Sequence, residues 1–165
     1  GALARTGREY GSPMRIIEAV EAVNERQKEI VVRKLAAELG DLRGRTVALW
    51  GLAFKPETDD MREAPALVAI DRLTCAGAVV RVYDPAAMDE CRRRGGDAVV
   101  YCSDMYEAVV DADALVLLTE WKQFRLPSWT VIRKVMANPL VIDGRNIYDK
   151  AELVAEGFTY KAIGK

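Results

Sequence analysis

The sequence contains no histidine. That absence removes Ser-His-Asp and Cys-His nucleophilic catalysis, a histidine general base and any histidine-ligated zinc from within the chain. Cysteine is scarce too: Cys75, Cys91 and Cys102 include no C-x-x-C pair. An odd number leaves no complete disulfide framework and fits a reducing compartment, so each is expected to be a small buried apolar residue. A charge excess is also missing, with 24 Lys plus Arg against 25 Asp plus Glu and a net charge of −1. Nucleic acids and membrane surfaces recruit basic chains, so neither is expected as a partner. The longest apolar runs, such as Ala114–Leu118, have about five residues where a bilayer span needs about 20. Ala2–Tyr10 already carries Arg5, Arg8 and Glu9 and does not read as a signal peptide, which points to the cytoplasm. The dinucleotide fingerprint G-x-G-x-x-G is absent as well.

What is present is a globular composition, 165 residues of which 50% are apolar and 30% charged. A chain of that length buries roughly 70% of its unfolded surface and needs no staple. Its first part reads as one long helix over about 13–39. Ser12 suits its N-terminal cap, Pro13 its first position and Gly40 its stop. Met14–Leu39 has no internal Gly or Pro and would extend about 39 Å. Its ends are apolar (Ile16, Ile17, Val20, Val23, then Ile30, Val31, Leu35), but Asn24–Glu29 is an unbroken polar run. A helix longer than the domain behind it commonly links domains or packs on a second subunit, because its own domain has too little surface to cover it.

From Arg45 the pattern changes. Strands are expected at Thr46–Trp50, Val79–Tyr83, Ala98–Tyr101, Ala114–Leu118, Leu140–Ile142 and Phe158–Tyr160. Helices are expected between them at Glu63–Ala76, Ala86–Arg94, Met105–Val110, Ser128–Met136 and Lys150–Glu156. Alternating α and β with nearly all-apolar strands defines an α/β fold, a doubly wound, mostly parallel sheet covered on both faces. Right-handed crossovers give the order 3-2-1-4-5-6. The boundary falls at Gly40–Gly44, dividing the chain into 1–44 and 45–165.

In such a sheet, ligands bind outside the carboxyl ends of the strands, near the reversal of strand order. The loop after the first strand runs Gly51-Leu52-Ala53-Phe54-Lys55-Pro56-Glu57-Thr58-Asp59-Asp60-Met61-Arg62-Glu63-Ala64-Pro65. Gly51 would let a ligand approach the backbone, while Lys55 and Arg62 place positive charge near a helix start that attracts anions. Asp59 or Asp60 could cap that helix. Strand two ends in Tyr83-Asp84-Pro85, where an acid could meet a ribose or cap the next helix; strand four leads into the aromatic Thr119-Glu120-Trp121-Lys122-Gln123-Phe124. Strand five leads into Asp143-Gly144-Arg145-Asn146, where Arg145 can reach the cleft and grip phosphate or sugar hydroxyls. Arg92-Arg93-Arg94 closes a helix and complements its dipole.

These loops, in this order and spacing, resemble the UDP-glucose/GDP-mannose dehydrogenase family, as does Glu21-x-x-Asn24-Glu25-x-Gln27 in the long helix. Met61 before Arg62 and the Thr-Glu-Trp form of the fourth loop are most similar to its UDP-glucose branch. The resemblance implies a C-terminal, Rossmann-like UDP-sugar-binding domain over 45–165. It also implies that 1–44 is the end of a central helical dimerisation region and that the protein is a homodimer. Phe54, Lys55 and Arg145 resemble the residues that hold the UDP-sugar, and Arg62 the arginine facing the phosphates of NAD. Family members oxidise the sugar C6 alcohol to a carboxylate in two NAD-dependent steps through a cysteine thioester. That cysteine and the NAD-binding domain are expected upstream of residue 1. No catalytic role falls on Cys75, Cys91 or Cys102, no metal site is implied, and residues 1–165 alone are expected to be inactive. A UDP-N-acetylmannosamine or GDP-mannose enzyme, or a stand-alone nucleotide-binding module, are the alternatives.

Overall fold

The computed structural model describes residues 15–164. The expected cap at Ser12 and Pro13 lies outside them. The chain runs α1 (Arg15–Leu39), β1 (Thr46–Trp50), α2 (Pro65–Cys75), β2 (Val79–Tyr83), α3 (Met88–Arg93), β3 (Val100–Tyr101), α4 (Met105–Val109), β4 (Ala114–Leu117), α5 (Trp129–Val135), β5 (Leu140–Asp143), α6 (Lys150–Ala155) and β6 (Thr159–Ala162). Two 3₁₀ turns cover Gly96–Ala98 and Lys122–Phe124.

All six strands are parallel and ordered β3-β2-β1-β4-β5-β6, the doubly wound order expected from the alternation. The reason lies in the residues: every position of β4 and β5 is buried, so these strands carry no polar face except Asp143 at the end of β5. The edge strand β6 instead alternates exposed and buried positions. Side chains set several helix starts. Asp104 accepts from the backbone N–H groups of Tyr106 and Glu107, Ser128 from Val131, and Asp149 from Glu152. Helix α2 departs from expectation, because neither Asp59 nor Asp60 caps it. Ala64 precedes it without a side-chain bond, and Pro65 supplies the preset φ of its first turn. Strand β3 has two residues rather than four because Gly96–Ala98 turns into a 3₁₀ segment.

Helix α1 behaves differently at its two ends. Ile16, Val20 and Val23 are 81%, 53% and 49% exposed, whereas Val31 and Leu35 are 3% and 0% exposed and join the sheet's own core. The expectation that this domain could not cover the helix therefore holds for the first half and fails for the second. Ion pairs add to the docking, Arg72–Glu29 at 2.7 Å and Lys161–Glu38 at 3.2 Å. Cys91 and Cys102 are buried free thiols as expected, but Cys75 is exposed. Arg92, Arg93 and Arg94 pair with Asp89 and Glu90 on their own helix, and Arg92 also covers the Tyr101 ring at 4.1 Å. Among the described residues, no helix is long and apolar enough to cross a membrane.

Candidate functional site

Strand order reverses between β1 and β4, so the loops leaving those strands diverge and open a crevice at the carboxyl edge of the sheet. Two glycines let the backbones meet there. Gly51 has φ 93, and a Cβ on it would fall 2.5 Å from the Cβ of Thr119. A Cβ on Gly144 would fall 2.5 Å from the carbonyl oxygen of Leu117. Gly51 thus lets the β1 loop pack against Thr119 of the β4 loop.

The β2 side of the crevice is filled. Asp84 is 2% exposed and its Oδ2 accepts from the N–H groups of Leu52 at 2.7 Å and Ala53 at 3.1 Å, and from Trp121 Nε1 at 3.1 Å. Its Oδ1 accepts from the N–H groups of Ala86 and Ala87, both at 2.8 Å. This carboxylate has no capacity left for a ribose, and it does not cap the next helix either: it closes the turn before α3, which starts after Ala87 with no side-chain cap bond. The aromatic loop after β4 is likewise turned inward. Phe124 is fully buried and stacks on Trp50 at 5.0 Å between ring centroids, and the Tyr83 ring meets Phe124 edge-on at 6.1 Å.

The β5 side is open. A cavity of about 800 Å³, within the range of small-molecule sites, lies between α1 and the loops after β1, β4 and β5. Val31, Leu118, Gly144 and Ile163 form its apolar floor, and Phe54 and Pro65 come from the β1–α2 loop. Arg145 enters from the β5 loop, with Glu21, Glu25, Gln27 and Lys28 of α1 opposite, beside Glu63. Asp143 shapes the loop that delivers Arg145. Fully buried, it accepts from the N–H of Arg145 through one oxygen, and from Ile147 N, Tyr148 N and the Tyr160 hydroxyl through the other, all at 2.8–2.9 Å. Burial raises the Tyr160 phenol well above its ordinary range, and the hydrogen bond to Asp143 raises it further. The Arg145 guanidinium is held in a fork by Glu120, with Nε at 2.5 Å and Nη2 at 3.0 Å from its two oxygens.

Of the residues singled out from sequence, Phe54, 49% exposed, and Arg145 meet at this cavity. Lys55 follows Phe54 at the mouth, exposed and outside the lining, with no ion pair among the described residues. Arg62 lies apart, 77% exposed and paired with Asp60 at 2.8 Å; its hydrogen bonds hold the Asp60 carboxyl at about 2. Sequence reasoning missed Lys28, Glu63 and Glu120. The polar run in the middle of α1 was the available signal, since it interrupts the apolar face where the helix passes the cleft.

On the β2 side of the crevice, Trp121, Phe124 and Asp84 are buried and leave no open cavity among the described residues. Among the described residues, no group of three His, Cys, Asp or Glu could hold a metal ion. Fold and crevice together define a Rossmann-like domain with an open cavity on the β5 side of the strand-order reversal. Residues 48–150 match the UDP-binding domain of the UDP-glucose/GDP-mannose dehydrogenases, and the chain belongs to that family. It is 48% identical to a UDP-glucose 6-dehydrogenase of Pseudomonas aeruginosa and 43% identical to one of Rhizobium meliloti, in each case over 99% of its own length. It spans 38% of the length of each of those relatives. A UDP-glucose dehydrogenase from Pyrobaculum islandicum superposes with a TM-score of 0.81 at 34% identity, covering 97% of this chain and 34% of that one. A GDP-mannose dehydrogenase from Pseudomonas aeruginosa, at 19% identity and a TM-score of 0.69, shares the fold.

Proposed function

We propose that this chain supplies the UDP-sugar site of a UDP-glucose 6-dehydrogenase, with the nucleotide-sugar seated in the open half of the crevice. The observation that carries the reading is that Phe54 and Arg145, from loops after two different strands, line one cavity beside the strand-order reversal. Arg145 offers a planar fork to a pyrophosphate, in competition with Glu120, and the Lys55 ammonium adds a second cation at the mouth. Phe54 contributes ring surface and backbone toward the sugar end. Residues 45–165 form the UDP-sugar-binding domain, and 1–44 the end of the central dimerisation region.

The whole enzyme, in this reading, is cytoplasmic and oxidises UDP-glucose to UDP-glucuronate with two NAD. NAD is held mainly by a separate N-terminal domain, and only Arg62, exposed on the outer side of the loop, reaches its phosphates. Residues 1–165 lack the nucleophilic thiol of the covalent intermediate and have no dehydrogenase activity by themselves. The protein is a homodimer through the exposed end of α1. Replacing Ile16, Val20 and Val23 by serine together makes it monomeric by light scattering, with the thermal midpoint of the sheet domain unchanged.

Calorimetric titration of UDP tests the site. Wild type binds with Kd on the order of 0.1–1 mM, or about 4–5.5 kcal/mol. Lys55→Ala and Arg145→Ala each weaken binding at least about tenfold, as expected for a charge-assisted contact of roughly 1.5–3 kcal/mol. Equal binding by all three proteins places the nucleotide elsewhere, and preference for GDP over UDP replaces the substrate.

A further inference from the structure

Nucleotide binding leaves the polar middle of α1 without a task. Lys28 sits at its centre, facing the cavity, with its side chain 12% exposed. Its ammonium lies 2.7 Å from Oε1 of Glu25, one turn back, and 2.7 Å from Oε2 of Glu63, which is 35 residues away in the β1–α2 loop. Glu63 itself holds a left-handed backbone, φ 60, uncommon for a residue with a side chain.

The fastening of that loop is uneven. Its first residues are tied to the sheet, since the N–H groups of Leu52 and Ala53 donate to Asp84 and the Thr119 hydroxyl donates to the carbonyl of Ala53. From Phe54 to Arg62 the polar contacts turn back on the loop itself. Phe54 N donates to the Asp60 carbonyl at 2.8 Å, Asp60 N to the Thr58 hydroxyl, and Arg62 to the Asp60 carboxylate. Met61 is buried, and beyond it the loop's polar tie to another element is Glu63 to Lys28. The segment bearing Phe54 and Lys55 is thus held by the sheet at one end and by α1 at the other.

We propose that Lys28 is a positioning residue: its double ion pair clamps the β1–α2 loop to α1 and sets the placement of Phe54 and Lys55 at the mouth of the cavity. The part concerning the nucleotide rests on the function proposed above; the part concerning the loop does not. Burial disfavours the Lys28 ammonium, yet its hydrogen bonds to both carboxylates outweigh this and raise its pKa, while Lys28 lowers that of Glu63. The pair Arg72–Glu29 is an internal control. It joins α1 to α2 with the same 2.7 Å contact but does not touch the loop.

The test compares wild type with Lys28→Met, Lys28→Arg, Glu63→Gln and Arg72→Gln, reading amide hydrogen exchange and UDP titration. Glu63 is exposed, so its replacement leaves the fold intact even if Lys28→Met does not fold. Glu63→Gln and Lys28→Met speed exchange severalfold at the amides of Phe54 and Ala64, both hydrogen-bonded within the loop. They also weaken UDP about two- to fivefold, in keeping with the modest worth of a partly exposed ion pair. Lys28→Arg retains the slow exchange, and Arg72→Gln changes neither readout. Unchanged loop exchange in Glu63→Gln overturns the clamp, as does an equal rise in Arg72→Gln. If wild type fails to bind UDP, the nucleotide reading falls, and the exchange data still decide the clamp.

Discussion

The two sides of the crevice start from the same architecture and end in opposite states. Toward β2, Asp84 takes up five donors and Phe124 stacks on Trp50, so that flank of the reversal is core. Toward β5, the loops stand apart over an apolar floor, and the groups around it are charged and partly exposed. What separates them is aromatic content in a single loop: Trp121 and Phe124 fold inward and seal one half. The fold alone therefore does not decide which flank of the reversal stays open; the side chains that close one of them do.

That contrast predicts opposite sensitivities. On the sealed side, Phe124→Ala removes a fully buried ring and costs about 3–5 kcal/mol in urea unfolding. Asp84→Asn keeps the shape but turns an amide group toward N–H donors, and costs about 1–3 kcal/mol. On the open side, Phe54→Ala shifts stability by no more than about 0.5 kcal/mol, as exposed positions do, and Arg145→Gln, which releases Glu120, by about 1 kcal/mol or less, while both weaken UDP. Equal losses of stability on the two sides would erase the distinction.

The smallest effect is electrostatic. Asp60 should titrate near 2, and Arg62→Gln should return it toward its ordinary 3.8, as read by carboxyl NMR. Because the folded value lies below the unfolded one, the Asp60–Arg62 pair contributes fully above about pH 4 and is lost as pH falls toward 2.

Much of this was legible in the sequence, for identifiable reasons. Strands such as Ala114–Leu118 are apolar throughout because helices cover both faces, and that continuity alone separates a parallel sheet from an antiparallel one. Phe54 and Arg145 were legible because each closely follows a strand, so position along the chain translated into position at the sheet edge. Asp84 was only half legible: its place after β2 was right, but three of the donors that saturate it come from Leu52, Ala53 and Trp121, more than 30 residues away. The inward turn of Trp121 and Phe124 was hidden for the same reason, since an aromatic at a loop reads alike whether it meets a ligand or a distant tryptophan. The polar run around Lys28 was visible, but its pairing with Glu63 was hidden, because the two belong to different elements and no local pattern joins them.

Helix α1 also has a mechanical meaning. Its second half is set in the core through Val31 and Leu35, while its first half stands clear of the sheet. The stretch from Lys28 back to Arg15 forms an arm of about 20 Å, so a tilt of roughly 5° at the docked end swings the tip by about 2 Å. A stiff rod anchored beside the mouth of the cavity is a lever: it converts a small change of angle there into a displacement at its far end comparable to the radius of an atom.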